Sequence, residues 1–265
     1  MDKLYFPQLA SGAVAQYPIR KMRVARTIKN VLPDGTMILY SDPDAARLLW
    51  GLSYTNLSSG DVEAIQSHFK NCVGPFRAFT FIDPTDNMLL SSSDLRSAVW
   101  QTSSHINITP GAGDPVGGSS AFILTNTGQA DQAISQVVHV RASYQYCLSV
   151  YVNSDQASMI TLIRSGSFTE KRTSVPIKQG WHRVVSSGRL NDPGEIFTVA
   201  ISLMAGQQLE IYGVQLEAQI SPSRYRPTME TAGVFPNAHW GIDELTVIAE
   251  APNLFSTSFS IETAI

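Results

Sequence analysis

The stretch Gly206–Ala218, GQQLEIYGVQLEA, decides the fold because its apolar and polar residues alternate, as in a strand with one buried face. Leu209 and Ile211 would face one side, whereas the alternation from Val214 onward is out of phase with them. One extra residue at Gly213 corrects the phase, since a glycine inside a strand often marks a β-bulge. The stretch is therefore predicted to form a wall of a β-sandwich.

An alternative interpretation of the same stretch has Glu210 and Tyr212 facing a ligand. The surrounding sequence favours the wall, because residues 119–218 contain about eight short strand patterns separated by turn signals such as Thr127-Gly128 and Ala205-Gly206. This spacing is typical of an antiparallel β-sandwich or jelly roll.

The N-terminal region predicts strands and one helix. Residues 20–40 alternate on both sides of the turn Pro33-Asp34-Gly35, and residues 48–54 read as a further strand. A helix is predicted from the N-cap Ser59, with Asp61 and Glu63 in the first turn, where the helix dipole favours acids. Its buried stripe would comprise Val62, Ile65, Phe69, Cys72 and Val73, and Gly74-Pro75 would end it.

Further strands are predicted on either side of the sandwich. The run Phe76–Phe81 alternates before an Asp83-Pro84 turn, and residues 245–250 and 259–261 alternate near the C-terminus. A Gly-, Pro- and Ser-rich loop at residues 109–120 precedes the sandwich strands. The predicted fold class is mainly β, with two domains and one α-helix.

Composition excludes several classes of function. The 265 residues have a net charge of −3, so no nucleic-acid-specific binding is expected. Charged residues make up only 15% of the chain, which suits a β-rich protein and also a protein that buries much of its surface in an assembly. No apolar run is long enough to span a membrane, and the start lacks the pattern of a secretory signal. Cys72 and Cys147 are expected to be free, buried thiols.

No arrangement of residues indicates catalysis, so no enzymatic activity, catalytic residue, metal site or cofactor is predicted. The histidines lack metal-ligand spacing, and the loop glycines lack the Lys-Ser/Thr and the strand-to-helix context of a phosphate-binding loop. The histidines are His68, His105, His139, His182 and His239, and the glycines are Gly111, Gly113, Gly117 and Gly118. Glycosidases need two carboxyl groups flanking a cleft. The candidates by residue type are Asp192, Glu195, Glu210 and Glu217.

Aromatic side chains could stack on sugar rings, because their flat apolar faces match a pyranose face. The candidates are Tyr144, Tyr146, Tyr151, Trp181 and Tyr212. Tyr144 and Tyr146 would share one strand face, and Trp181, at the start of a strand, is expected in the core. The sequence does not select the exposed members, so the glycan-binding residues stay unassigned.

Two stretches carry family resemblances. LEIYGVQLEAQISPSRYRPT, together with GWHRVV, ISQVVHV and YCLSVYV, resembles the carbohydrate-binding-type jelly rolls of bacteriophage tail and fibre proteins. YFPQLASGAV, followed by WGLSYTNLSSGDVEAIQSHFKNCVGPFRAFTFIDPTDNML, resembles phage distal-tail and baseplate-hub structural proteins. AHWGIDELTVIAEAPNLFSTSFSIET resembles the closing strands of the same hub domain. The order implies that residues 1–90 and 229–265 form a hub domain into which a jelly roll, residues 91–228, is inserted.

The resemblances imply a structural protein of a phage or phage-like tail tip. Its copies would form a ring, a hexamer in that family, that joins the tail tube to the baseplate hub. The jelly roll would be a peripheral interaction module or would bind host-surface glycan, with avidity from the repeated copies. The expected location is the virion, after synthesis in the bacterial host cytoplasm. A free-standing glycan-binding adhesin is the alternative, and a glycan-active enzyme is the third hypothesis.

Overall fold

The computed structural model describes residues 3–265, and the chain divides into two compact units. Unit 1 comprises Met1–Ile82 and Val234–Ile265, and unit 2 comprises Asp83–Gly233. Within the described residues there is one α-helix, and all pairs of named strands are antiparallel. The prediction of a mainly β fold with one helix is therefore confirmed.

The elements follow in chain order. They are β1 (Arg20–Val31), β2 (Met37–Leu57), α1 (Ser59–Cys72), β3 (Phe79–Ile82), β4 (Gln101–Thr102), β5 (Ile106–Ala112), β6 (Ala121–Asn126), β7 (Gln132–Val138), β8 (Tyr146–Asn153), β9 (Ser158–Ser165), β10 (Glu170–Ile177), β11 (His182–Gly188), β12 (Phe197–Leu203), β13 (Gln208–Glu217), β14 (Val234–Trp240), β15 (Val247–Ala251) and β16 (Leu254–Ala264). Residues 119–218 thus contain the eight strands β6–β13, as the turn spacing predicted.

Unit 1 contains one sheet, with strand order β1-β2-β16-β14-β3, and β15 pairs with β16. The sheet and α1 enclose an aromatic core in which Trp50, Phe81 and Trp240 are fully buried. Phe6 joins this core from the N-terminal segment, with its ring 5.6 Å from that of Phe81 and 5.8 Å from that of Trp240. Aromatic residues of three strands therefore supply most of the packing in this unit.

The long hairpin of unit 1 has no such core. All twelve residues of β1 are exposed, and so are most residues in the first half of β2. The tip is the predicted Pro33-Asp34-Gly35 turn, where Gly35 has a φ of 84° and its amide donates to Leu32 O at 2.9 Å. We call β1, this turn and β2 as far as Arg47 the hairpin arm.

Unit 2 is a jelly-roll sandwich of two five-stranded sheets, with orders β10-β9-β12-β7-β4 and β11-β8-β13-β6-β5. Alternate side chains of each strand point into the space between the sheets. On β8 these are Leu148, Val150 and Val152, and Ile211 and Leu216 of the adjacent β13 join them. All five side chains are fully buried, so the sandwich core lies behind the stretch with which we began.

The predicted bulge in β13 is confirmed. The pairing of β13 with β8 shifts register between Tyr212 and Gln215, and Gly213 has a φ of 65°. Val214 is consequently buried, on the same side as Ile211. The extra residue keeps apolar side chains in the core on both sides of the bulge.

The predicted N-cap of the helix is wrong by one residue. Its N-cap is Ser58, not Ser59, because Ser58 Oγ accepts from the Asp61 amide at 3.2 Å while the Asp61 carboxylate accepts from the Ser58 amide at 3.3 Å. This reciprocal capping box fixes the first turn. The buried stripe also differs, since His68 is buried within it whereas Val73, the C-cap in a left-handed conformation, is 63% exposed.

Two predicted strands have different lengths in the structure. The alternation predicted from Phe76 begins only at β3, and Phe76 itself is 80% exposed, because the chain is still turning away from the helix there. The strand predicted at residues 48–54 is continuous with the one before it in the 21-residue β2. The register shifts between Val24, which faces Arg47, and Arg26, which faces Asp42, so residues 43–46 of β2 lie in an irregularity of the pairing.

Unit 2 leaves and rejoins unit 1 at two facing residues. Ile82, the last residue of β3, is the pairing partner of Val234, the first residue of β14. Within unit 2 the two ends of the chain are joined by backbone hydrogen bonds, from Asp83 N to Gly233 O at 2.8 Å and from Ser91 N to Met229 O at 2.8 Å. The inserted segment, residues 83–233, therefore begins and ends at adjacent positions of the β3–β14 pair.

Candidate functional site

A cluster of three tyrosines lies on the outer face of the β11-β8-β13-β6-β5 sheet. Because strand residues alternate, Tyr151 and Tyr212 point away from the core whose walls their neighbours form. Their ring centroids are 6.0 Å apart, and the ring of Tyr225 stands edge-on to Tyr212 at 5.2 Å. We call these three residues the tyrosine cluster.

The bulge glycine provides the floor of the tyrosine cluster. A Cβ atom at Gly213 would lie 3.0 Å from Cγ of Tyr225 and 3.2 Å from Cδ2 of Tyr151. The two rings therefore occupy the space that any other side chain would need. Gly213 serves two purposes, since it accepts a positive φ and lets aromatic rings pack directly on the backbone.

The segment after β13 brings Tyr225 back across the same face. Ser223 donates through its amide and its hydroxyl to the buried carboxylate of Glu217, and the Arg226 amide donates to Gln215 Oε1 at 2.8 Å. Arg183 of β11 donates to Ser223 O at 2.5 Å. These bonds hold the segment over one end of the face and leave the tyrosine cluster at its margin.

A cleft of about 150 Å³ opens beside the tyrosine cluster. Its lining is part aromatic and part hydroxyl, and comprises Ser92, Ser93, Leu95, Ser120, Phe122, Ile211, Tyr212, Gly213, Val214, Tyr225 and Pro227. The hydroxyls of Ser92 and Tyr225 are 3.1 Å apart, within hydrogen-bond distance. Such a lining combines flat apolar faces with hydroxyl donors and acceptors, the pair of properties that a neutral polyol requires.

The environment of Tyr212 and of Tyr225 raises the pKa of each phenol. Burial raises the pKa of Tyr225 to about 12, although the hydrogen bond with Ser92 opposes the shift. Burial also raises the pKa of Tyr212, and the negative charge of Asp114 adds to the effect. Both hydroxyls are therefore neutral groups that can donate as well as accept.

Charged groups flank the tyrosine cluster but are already engaged. The guanidinium of Arg183 lies 5.0 Å from the ring centroid of Tyr151 and donates to Ser149 Oγ at 2.9 Å. The carboxylate of Glu210 accepts from Asn153 Nδ2 at 2.6 Å. The Arg183 guanidinium thus lies over the ring of Tyr151, and both charged groups already have hydrogen-bond partners.

The remaining predicted aromatics are not part of the tyrosine cluster. Tyr146 is fully buried in the core, where its hydroxyl donates to Arg141 O at 2.8 Å. Tyr144 precedes β8 and so does not share a strand face with Tyr146 as predicted, although the two rings are 6.5 Å apart. Trp181 was expected in the core and is half-buried, because it precedes β11.

The candidate carboxylates hold loops together. Asp192 is buried and accepts from the amides of Phe168, Thr169 and Gly194 at 2.7, 2.9 and 2.8 Å. Burial alone would raise the pKa of Asp192, but these donors outweigh it and lower the pKa. Glu217 and Glu210 are bonded as described above, and Glu195 is exposed. Asp192, Glu210 and Glu217 therefore stabilise the fold through their hydrogen bonds.

The glycine-rich loop is built around a carboxylate. Asp114 accepts from the amides of Val116, Gly118 and Ser120 at 3.0, 2.8 and 3.1 Å. Burial works against ionisation there, but these amides prevail and lower the pKa of Asp114. The loop amides that could have cradled a phosphate are thus occupied by a side chain of the same loop.

The histidines and cysteines are dispersed. His68 packs edge-on against Phe79 at 4.7 Å in the core of unit 1, and Nδ1 of His239 lies 2.8 Å from Pro75 O. His105 and His139 are exposed, and His182 is half-buried. Among residues 3–265, no group of three His, Cys, Asp or Glu residues could hold a metal ion. The described chain has no helix of the length and apolarity needed to cross a membrane.

Both thiols are buried and free, as expected. Burial raises the pKa of Cys72, and it raises the pKa of Cys147 to about 12, with the nearby charge of Glu217 adding to the effect. Neither group is therefore a thiolate at neutral pH.

The hairpin arm is a second candidate surface, in unit 1. Of 21 exposed large apolar side chains in residues 3–265, eight lie between residues 22 and 40. They are Met22, Val24, Ile28, Val31, Leu32, Met37, Leu39 and Tyr40. Apolar side chains concentrated on an exposed ribbon form a candidate interaction surface.

Comparisons with known proteins give structural likenesses only. No family model matches the chain, and no curated protein matches it. A tailspike domain of bacteriophage CBA120 aligns with a TM-score of 0.41 and 10% identity, over 52% of this chain and 22% of that one. The xylan-binding CBM22-1 domain of Paenibacillus barcinonensis Xyn10C aligns with a TM-score of 0.40 and 14% identity, over 51% of this chain and 97% of that one.

A third structure, the family 11 carbohydrate-binding module from Clostridium thermocellum, aligns with a TM-score of 0.39 and 11% identity, over 52% of this chain and 98% of that one. With TM-scores near 0.4, these likenesses carry no argument about ligand or partner. The case for function rests on the residues themselves.

Proposed function

We propose that the protein is a structural component of the tail tip of a phage or phage-like particle, where its copies form a ring that joins the tail tube to the baseplate hub. Its location would be the virion. The jelly roll would be its peripheral glycan-binding module. The observation that carries the proposal is the hairpin arm, whose strand β1 has twelve consecutive exposed residues.

A two-stranded ribbon without a covering layer is marginally stable in water. The hairpin arm is long and carries eight exposed apolar side chains, so covering it with a partner would remove much apolar surface from water. A contact that uses different surfaces on the two copies repeats around a closed ring, and six copies would follow the family resemblance. The low charge of the chain supports a protein whose surface is mostly contact.

The test shortens the hairpin arm. Val24 and Arg47 already face each other in the β1–β2 pair, so residues 25–46 can be replaced by Asn-Gly, a sequence that favours a tight hairpin turn. We expect wild-type rings with a central hole in negative-stain images, and monomers of unchanged thermal stability from the shortened variant. Assembly of the variant into the same rings, or failure of concentrated wild-type protein to assemble, would contradict the proposal.

The tyrosine cluster supports glycan binding as the second element of the proposal. Its two lining rings, the cleft beside them and the neutral hydroxyls suit a sugar unit. Tyr212→Ala should reduce binding to a panel of bacterial surface glycans about two- to tenfold, since stacking on an aromatic ring contributes about 0.5–1.5 kcal/mol. Phe168→Ala is the matched control, because Phe168 is 77% exposed in the same unit.

These two experiments also separate the alternatives. A free-standing adhesin would bind glycan and stay monomeric, whereas the proposed tail protein would bind glycan and also assemble into rings. We propose no catalysis, because the carboxylates of Asp192, Glu210 and Glu217 are committed to hydrogen bonds that hold loops and strands. Hydrolysis of a polysaccharide by the purified protein, lost on substitution of one Asp or Glu, would contradict this part.

A further inference from the structure

The sheet of unit 1 has three strand ends, β1, β15 and β3, and β3 is covered by residues 4–6, whose backbone bonds to Thr80. The other two edges are open and have opposite charge. At one edge, β1 pairs only with β2. At the other, β15 pairs only with β16, on the side away from β2, because Thr257 of β16 is the partner of Val247 on one side and of Tyr54 on the other. Two unpaired strand edges therefore face in opposite directions from one sheet.

The β1 edge is basic. Its twelve residues include five basic side chains and no acidic one. Arg26 forms an ion pair with Asp42 of the arm at 3.0 Å, and the Lys21 ammonium lies 5.8 Å from the ring centroid of Trp50. Arg23 and Lys29 are exposed and have no ion pair within residues 3–265.

The β15 edge is acidic. The segment from residue 241 to residue 253 contains Asp243, Glu244 and Glu250 and no basic residue. All three are exposed, and their only hydrogen bond described among residues 3–265 is that of Glu250 with Ser256 Oγ at 2.6 Å. Ile248 between them is 54% exposed, so this edge also presents apolar surface.

We infer that β1 of one copy adds to β15 of the next copy, so that the unit 1 sheets join edge to edge. This inference rests on the proposed ring and names the contact that would build it. Pairing of β1 with another β1 would place basic side chains opposite one another, and pairing of two β15 strands would do the same with acids. Only the unlike pair is complementary, and it satisfies the backbone groups that both edges leave open.

The geometry also makes the contact directional. A contact between two different edges is heterologous, so each copy has one edge of each kind and the chain of copies closes into a ring or grows as a fibre. The contact is ionic in part, so assembly should weaken as salt is raised.

The experiment reverses charges on the two edges, separately and together, in the full-length protein. One variant carries Arg23→Glu and Lys29→Glu, another carries Glu244→Lys and Glu250→Lys, and a third carries all four. We expect each single-edge variant to lose at least nine-tenths of its assembled fraction in light scattering and electron microscopy. The four-fold variant should assemble again, because the charges at the substituted positions of the two edges have been exchanged.

A mixture of the two single-edge variants is the decisive part of the experiment. At the substituted positions the first variant sets acids of β1 against the acidic β15 edge, and the second sets bases of β15 against the basic β1 edge. Each should therefore assemble poorly alone, while an equimolar mixture should form rings of alternating subunits. Lys171→Glu with Lys178→Glu is the matched control for the first variant, because it makes the same change in net charge at exposed sites of unit 2. Thermal unfolding checks that every variant is folded.

The outcomes distinguish the inference from the proposal beneath it. If the shortened arm abolishes rings but the edge variants assemble like wild type, the ring stands and the edge pairing is wrong. If the control loses assembly as the edge variants do, net charge and not the edges is responsible, and the inference is overturned. If wild-type protein forms no ring, the proposed function fails and the edge pairing fails with it.

Discussion

The hairpin arm and the β8–β13 wall are both built from antiparallel strand pairs, yet their surroundings are opposite. In β8 every residue except Tyr151 and Asn153 is buried, whereas in β1 all twelve residues are exposed. Turn chemistry and alternation suffice to align strands in both places. Burial comes from a second layer, which the sandwich has and the hairpin arm lacks. The contrast suggests that the arm's missing layer is another protein.

The largest expected effect tests this contrast directly. Leu148→Ala removes a fully buried side chain from the sandwich and should cost about 2–5 kcal/mol of unfolding free energy. Ile28→Ala on the hairpin arm, 42% exposed, should change it by about 0.5 kcal/mol or less. Chemical denaturation of the monomer measures both. Equal losses would mean that the arm is covered within its own chain.

The next largest effect is expected at Asp192, whose carboxylate joins two loops of the sandwich. The lowered pKa of Asp192 means that its stabilisation is present above the unfolded value near 4 and is lost as pH falls through the folded value. Asp192→Asn should therefore lower the thermal midpoint more at about pH 7 than at about pH 3. At neutral pH its effect should exceed that of Ser58→Ala.

Glu195→Gln, at an exposed position close by, is the control for the Asp192 experiment. It should leave the midpoint unchanged at both pH values. A constant Asp192→Asn penalty across the pH range would show that the ionised carboxylate is not what holds the two loops.

A smaller effect is expected at the bulge, where the sandwich face carries its tyrosines. Gly213→Ala forces a residue with a Cβ to a φ of 65° and should cost about 1–2 kcal/mol, besides displacing the rings of Tyr151 and Tyr225. Gly206→Ala is the matched control, since its φ is 71° but no atom lies within 4 Å of the new Cβ. Only Gly213→Ala should alter the tyrosine signal in near-ultraviolet circular dichroism.

The smallest of these effects lies in unit 1. Ser58→Ala removes the N-cap and should cost about 1 kcal/mol, measured by thermal unfolding. Ser59→Ala, one residue inside the helix, should cost less because Ser59 is not the cap. A larger loss for Ser59→Ala than for Ser58→Ala would mean that Ser59 is the N-cap, as the sequence predicted.

Much of the fold could be predicted because it depends on local periodicity. The eight strands of residues 119–218 and the bulge at Gly213 follow from alternation and turn residues. The error at Ser58 arose because two serines in sequence fit a cap equally well, and only the reciprocal bond with Asp61 distinguishes them. The exposure of β1 could not be predicted, since its alternation is that of a half-buried strand.

The candidate site was predictable only in part. Tyr151 and Tyr212 were among the candidates, since their strands could be recognised. Tyr225 was not, because it lies in an irregular segment whose path depends on the bonds of Ser223 and Arg226 to distant strands. The signal available was an aromatic residue between two arginines directly after the last sandwich strand.

Because Ile82 and Val234 face each other, the jelly roll is inserted between two neighbouring strand ends of unit 1. A short turn could replace it, or a different domain could be inserted at the same place, without a change in the strands of unit 1. A lineage that carries such a junction can replace unit 2 by recombination while it keeps the sheet of unit 1.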